Sequence, residues 1–297
     1  MKYRNLSILF LAAAFSFGGC IETQMLVTIM KDGSGTIRQT VKMKKKVTAP
    51  LREMSIQMQQ SMAENDSAGA QEQKPFELFS ETEIRGNAEK LGTNVRYVSH
   101  ALIDDEESDG YVGMYAFDDL NSVKVNQNPT ASMPESAGGE GTIDADDELI
   151  LFSFTRGNPS KLVIRPPKMK ESESVTVIKT EGAEIHYEGQ GTDSLAADGQ
   201  QGEGALGEEQ MKEFFRDMHI VVQIAVDGEI SETNASYVDG STITLMDVNF
   251  NTFLDDPALE KQLKEIEAKG PAAAKEMFKN IPGLRVETEE EITVLFD

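Results

Sequence analysis

The chain holds a single cysteine and no tryptophan among its 297 residues. One thiol cannot form a disulfide within the chain, so a buried apolar core must hold the fold. The lack of Trp, with 7% aromatic residues overall, argues against a sugar-stacking platform. Histidine is also scarce. His100, His186 and His219 lie far apart and share no metal-ligand spacing. There is no Gly-x-Ser-x-Gly elbow, phosphate-binding loop or dinucleotide fingerprint. Basic charge is outnumbered, with 28 Lys and Arg against 51 Asp and Glu. Such a surface repels nucleic acid. After the first twenty residues no apolar run is long enough to cross a bilayer, which takes about 20 residues.

The amino terminus is different in kind. Lys2 and Arg4 precede an apolar run from Leu6 to Phe17, broken by Ser7 and Ser16. That is the length of an export signal and too short for a transmembrane helix. Gly18 and Gly19 follow, small enough to enter a peptidase cleft in extended form, and then Cys20. The segment resembles the lipobox of bacterial lipoproteins, departing from it at Phe17, where an aliphatic residue is usual. The resemblance implies diacylation of the Cys20 thiol and cleavage before it. Residues 1–19 are therefore expected to be a lipoprotein signal peptide, and the membrane a partner through the N-terminal lipid. Two acyl chains anchor stably where one is marginal. Ile21 stands where Asp would favour inner-membrane retention, so the expected location is the cell envelope, on the periplasmic face and in the outer membrane of a diderm. Loss of Lys2 and Arg4 with the signal takes the formal charge from −23 to −25.

Hydropathy patterning predicts an α+β fold, an antiparallel β-sheet of hairpins and a meander with helices packed on one face, interrupted by long disordered acidic loops. Residues 20–187 form an N-terminal part of this domain, 188–207 a disordered linker, and 208–297 a C-terminal part. Met25 to Met30 and the alternating run Ile37, Gln39, Val41, Met43 flank Lys31-Asp32-Gly33-Ser34-Gly35 and read as a β-hairpin. A helix is expected over about 48–63, another over Glu81 to Leu91, and strands over Asn94–Ile103, Tyr111–Phe117, Leu149–Thr155 and Lys161–Ile164. Residues 126–147 read as a flexible excursion. Weak strands are expected at Val175–Ile178 and Glu184–Tyr187. Residues 188–207 have almost no bulky apolar side chains and cannot offset ordering entropy by burial. Met211, Phe214, Phe215 and Met218 mark a short helix. Ile220–Val226, Ile230–Tyr237 and Ser241–Val248, separated by Asp227-Gly228 and Asp239-Gly240, read as a meander. Two helices follow, from Pro257 and over Ala272–Lys279, and a final strand spans Leu284–Phe296. Val27-Thr28-Ile29 before Asp32-Gly33 is echoed by Ile224-Ala225-Val226 before Asp227-Gly228.

Two further groups are candidate sites. Leu51, Met54, Met58 and Met62 share one face of the first predicted helix, with Val47. Thioethers in a row can ligate copper(I), but the same row more often forms core or a plastic apolar surface for a ligand or partner. Lys42, Lys44, Lys45 and Lys46 are a dense basic run close in sequence to Cys20, placed to meet anionic headgroups. No metal, cofactor or catalytic residue is expected.

The run Cys20, Leu26-Val27-Thr28-Ile29 and Asp32-Gly33-Ser34-Gly35-Thr36-Ile37 resembles the start of LppM-type lipoprotein domains, with looser likeness at Gly113–Asp118, Thr233–Ala235 and Ile281–Gly283. The resemblance implies an antiparallel sheet curved around helices and the binding of lipids or glycolipids. It carries no catalytic motif. The expected function is a non-enzymatic, membrane-anchored envelope lipoprotein that binds a lipid or other apolar envelope component. The alternative is a structural or assembly partner of an envelope protein complex, with no small ligand.

Overall fold

A computed structural model describes residues 21–65, 77–127, 149–167, 216–255, 259, 278–279, 281 and 283–297. The described residues open in a strand. β1 (Ile21–Ile29) turns through Asp32 and Gly33 into β2 (Gly35–Lys44). Gly33 sits at φ +84°, where a side chain would be strained. The Asp32 carboxylate closes the turn by accepting from Ser34 N at 3.0 Å and Ser34 Oγ at 2.6 Å. α1 (Lys45–Asn65) and α2 (Glu81–Lys90) follow. Ser80 and Glu83 form a capping box at the start of α2, satisfying amide groups that the first helical turn leaves open. β3 (Val95–Asp104) and β4 (Ser108–Phe117) make a second hairpin.

Next come β5 (Lys124–Asn126), β6 (Leu149–Thr155) and β7 (Ser160–Arg165). The chain resumes with β8 (Met218–Val226), β9 (Ile230–Thr233), β10 (Val238–Asp239) and β11 (Thr242–Asn249). β12 (Leu284–Val286) and β13 (Ile292–Phe296) end it. The strands form two sheets. The first is ordered β10-β11-β8-β1-β2-β4-β3, with β12 added on β11; the second is ordered β5-β6-β7-β13-β9.

These sheets overturn the expected α+β layering. The layer opposite much of the first sheet is the second sheet. Val27, Ile37, Tyr115, Phe117 and Ile224 of the first pack in one core with Ile150, Leu162, Ile164, Ile292, Val294 and Phe296 of the second, all at most 1% exposed. Among the described residues α2 adds Ala88 to this core, while Ile84 packs in a second, smaller cluster with Val41, Met43 and Tyr111, and the helices form no layer of their own. The strands are not all antiparallel either. β1 and β8 lie side by side in parallel, Ile21 to Met218 through Ile29 to Val226. A parallel neighbour needs a long crossover, and residues 30–217 supply it. The echo between the two halves is thus a physical pairing: Val27 lies against Ile224 and Ile29 against Val226.

Other expectations change with it. The predicted meander breaks after β8, because β9 leaves for the second sheet and pairs with β13. Met218 opens a strand, not a helical turn. Asp217 before it has φ 63°, outside the helical region, and the rest of that expected helix, 211–215, lies outside the described residues. Leu284–Phe296 is two strands in different sheets, divided at Glu287. That side chain is 5% exposed and accepts from Ser236 N at 2.7 Å, Ser236 Oγ at 3.1 Å and Thr288 N at 2.9 Å. The N-terminal and C-terminal parts share both sheets. The predicted linker 188–207, the strands at 175–178 and 184–187, and all of the 126–147 excursion beyond residue 127 lie outside the described residues. So does most of the predicted helical stretch 257–279.

Candidate functional site

The end of the first sheet where β1 begins gathers most of the notable polar chemistry. Ile21 faces Met43 on β2 and Met218 on β8. One step further along those neighbours stand Lys44 and Asp217. Their side chains meet at 3.8 Å, each about one quarter exposed. They therefore bridge the register position that precedes Ile21. Asn251 fixes Asp217 twice, donating Nδ2 to Oδ1 at 2.6 Å and accepting the Asp217 amide at 2.8 Å. This side-chain pairing compensates an unfavourable left-handed backbone. Arg216 pairs with Asp255 at 3.3 Å, and Phe250 N donates to Met218 O at 2.9 Å.

The rim continues on the other side of β1. Lys45 Nζ lies 2.7 Å from Asp104 Oδ1, and Lys42 lies 3.5 Å from Asp105. The Lys45 hydrogen bond holds the Asp104 carboxyl below the usual carboxylate range and raises the Lys45 ammonium. Backbone amides of Glu107 and Ser108 do the same for Asp105, the Glu107 bond first. Lys45 N donates to Glu107 O at 2.8 Å, tying the start of α1 to the β3–β4 turn. Behind this surface lies Asp109, 1% exposed. It accepts from the buried hydroxyl of Thr48, with Arg52 3.2 Å away.

Two other polar groups stand inside or beside the core. Gln39 Oε1 accepts from Tyr111 Oη at 3.2 Å and from Tyr115 Oη at 3.4 Å. Asn87 of α2 reaches both Gln39 and Tyr111, and Tyr115 Oη also lies 2.7 Å from the Ile84 carbonyl. Burial pushes both phenols well above their ordinary range. On the opposite face of the sheet, His219 Nε2 lies 2.8 Å from Asp247. Among the described residues no group of three or more His, Cys, Asp or Glu side chains could hold a metal ion.

The residues expected from the sequence fall unevenly on this frame. Cys20 lies outside the described residues. Lys42, Lys44 and Lys45 are brought to one rim, each facing an aspartate, and Lys46 joins them in the first turn of α1. Leu51 is half-buried against Ile21, Val41, Met43 and Tyr111 at the core margin, with Val47. The backbone of Met54, Met58 and Met62 is helical, but their side chains lie outside the described residues. Sequence reasoning missed the acidic partners, Asp104, Asp105, Asp109 and Asp217. Each is remote in sequence from its lysine, threonine or arginine. The available signal was the acidic run between Asp104 and Asp109 itself.

No protein-family profile matches the chain, and no curated protein does. Two solved structures are similar. One is the NMR structure of the folded domain of the Mycobacterium tuberculosis LppM protein, at 10% identity and TM-score 0.28, covering 99% of this chain and 96% of that one. The other is the crystal structure of an M1 zinc metallopeptidase from Deinococcus radiodurans, at 9% identity and TM-score 0.20, covering 79% of this chain and 40% of that one. Neither superposition is close enough to bear on chemistry.

Proposed function

We propose that the chain is an exported lipoprotein of the bacterial cell envelope, anchored through Cys20, that binds an apolar envelope component and does no chemistry of its own. One observation carries the reading. Residues 1–19 have the composition of an export signal, and Ile21 is already paired on both sides in a sheet. The first described strand starts at the residue that follows Cys20. Labelled palmitate tests this in cells. The wild type takes up label and is processed, whereas Cys20→Ser remains an unlabelled precursor. An unlabelled wild type overturns the reading.

The binding role rests on the outer face of the first sheet. Leu26, Val112, Met114 and Val221 share that face, half-buried among threonines and glutamines. Native mass spectrometry of protein purified gently from its own host should show co-purifying lipid, and bare protein in repeated preparations counts against it. A second reading, an assembly partner within an envelope complex, is favoured by a different feature. β3 is the outermost strand of the first sheet among the described residues, with Val98 52% and Leu102 61% exposed. Such an edge is a template for pairing with another chain. In-cell crosslinking that recovers one dominant protein partner would favour it.

A further inference from the structure

We infer that the anchored protein stands end-on, with the Lys44–Asp217 rim against the phospholipid headgroups and β1 running away from the bilayer. The inference rests on acylation of Cys20. It follows from the point at which the chain leaves the fold. Consecutive Cα atoms lie about 3.8 Å apart, so an acylated Cys20 holds Ile21 within one residue of the lipid. Ile21 is 1% exposed and lies in the middle of the sheet, with β8, β11 and β10 on one side and β2, β4 and β3 on the other. Strands are spaced about 4.8 Å apart, so either edge lies roughly 14 Å from β1. A one-residue tether cannot let the sheet rest on an edge. The nine residues of β1 place the Asp32-Gly33 and Asp227-Gly228 turns about 30 Å from the membrane.

The charges suit this contact. The whole chain is strongly acidic, and an acidic face would be repelled by anionic lipid. At the anchor end Lys42, Lys44, Lys45 and Arg216 match Asp105, Asp217, Asp104 and Asp255 pair for pair. With Lys46, Arg52, Glu106, Glu107 and Asp109 added, the rim holds six basic and seven acidic groups, far nearer balance than the chain as a whole, and can approach headgroups. Headgroup phosphates offer the lysines a further acceptor, and headgroup amines offer one further donor to the aspartates.

The lack of tryptophan makes a direct test available. Single reporters are introduced into the acylated full-length chain as Glu106→Trp in the β3–β4 turn, Arg38→Trp on the outer sheet face and Asp239→Trp in the β10–β11 turn. All three positions are exposed. Phe250→Trp is a second reporter at the rim should Glu106→Trp fail to fold. Each is reconstituted in phosphatidylethanolamine–phosphatidylglycerol vesicles carrying a headgroup spin label. The rim reporters lose emission, while those at 38 and 239 keep theirs. A Gly-Ser insert of about 10 residues after Ile21's predecessor, reaching roughly 15–20 Å, restores emission at the rim. Loss at position 38 equal to that at the rim means the sheet lies flat and overturns the inference. Palmitate labelling of the same samples separates the causes. An unlabelled chain overturns the lipoprotein reading, and with it the end-on stance. A labelled chain without the graded loss overturns the stance alone.

Discussion

Thr48 of α1 donates its hydroxyl to the carboxylate of Asp109 on β4, and both are buried. Arg52 approaches the same carboxylate from the half-exposed side at 3.2 Å. One aspartate thus fastens the first two turns of α1 to the sheet. Asp109→Ala strands a buried hydroxyl and leaves a void, and is expected to cost about 2–4 kcal/mol. Asp109→Asn keeps an acceptor for Thr48 and costs less. Urea unfolding midpoints measure both. Amide exchange across residues 45–52 should quicken in Asp109→Ala before it does elsewhere. Asp104→Ala, which removes an exposed partner of Lys45, should leave the midpoint unchanged.

Tyr115 does for α2 what Asp109 does for α1. Its hydroxyl is buried between the Ile84 carbonyl and Gln39. Tyr115→Phe keeps the ring and its edge contact with Tyr97 but removes the single hydroxyl proton, whose nearest acceptor is the Ile84 carbonyl. The expected loss is about 1–2 kcal/mol by chemical denaturation. No loss at all would mean that the Ile84 carbonyl does not depend on this hydroxyl.

The same network sets the alkaline limit of the fold. Tyr111 and Tyr115 ionise in the unfolded chain near the ordinary value of 10.0 but resist ionisation when folded, because burial disfavours the phenolate. Below that pH both states carry the proton and stability is flat in this respect. Above it the unfolded state releases protons that the folded state keeps, so stability falls as pH rises. Tyrosinate absorbance should therefore appear in two phases, with the later one coinciding with loss of structure. Replacing Tyr111 and Tyr115 with Phe should remove the later phase. A single smooth titration in the folded wild type would contradict the burial of these rings.

Local elements were legible in the sequence, and long-range pairing was not. The β1–β2 hairpin, α2, β3, β4 and β6 fall close to their expected positions, because Asp32-Gly33 and apolar alternation act within a few residues. The second sheet was read as pieces of the first. Alternation in a short strand says which face is buried but not which sheet it joins. The parallel β1–β8 pair left no local signal beyond the echo of Val27–Ile29 in Ile224–Val226. In the candidate site, the lysine run at 42–46 was visible as a charge pattern. Asp217 was not read beside it, because its place next to Lys44 depends on β8 lying on the far side of β1. His219 and Asp247 were likewise brought together by strand pairing across a turn region that sequence spacing does not fix.

The first residue of β1 provides a last test, which joins the fold to the anchor. Ile21 packs against Val41, Met43, Met218 and Ile220. A chain beginning at Ile21 and one beginning at Glu22, both made without the signal and without lipid, differ by that one buried side chain and its place in the sheet. Removing a buried isoleucine of this kind costs about 2–5 kcal/mol. The shorter chain should therefore unfold at a clearly lower urea concentration, with a similar slope. Both should fold without reductant, since the sole cysteine is gone from each. Equal midpoints would mean that Ile21 is frayed in solution. The tether between lipid and sheet would then be several residues long, and the rim of Lys44 and Asp217 would be free to swing away from the headgroups.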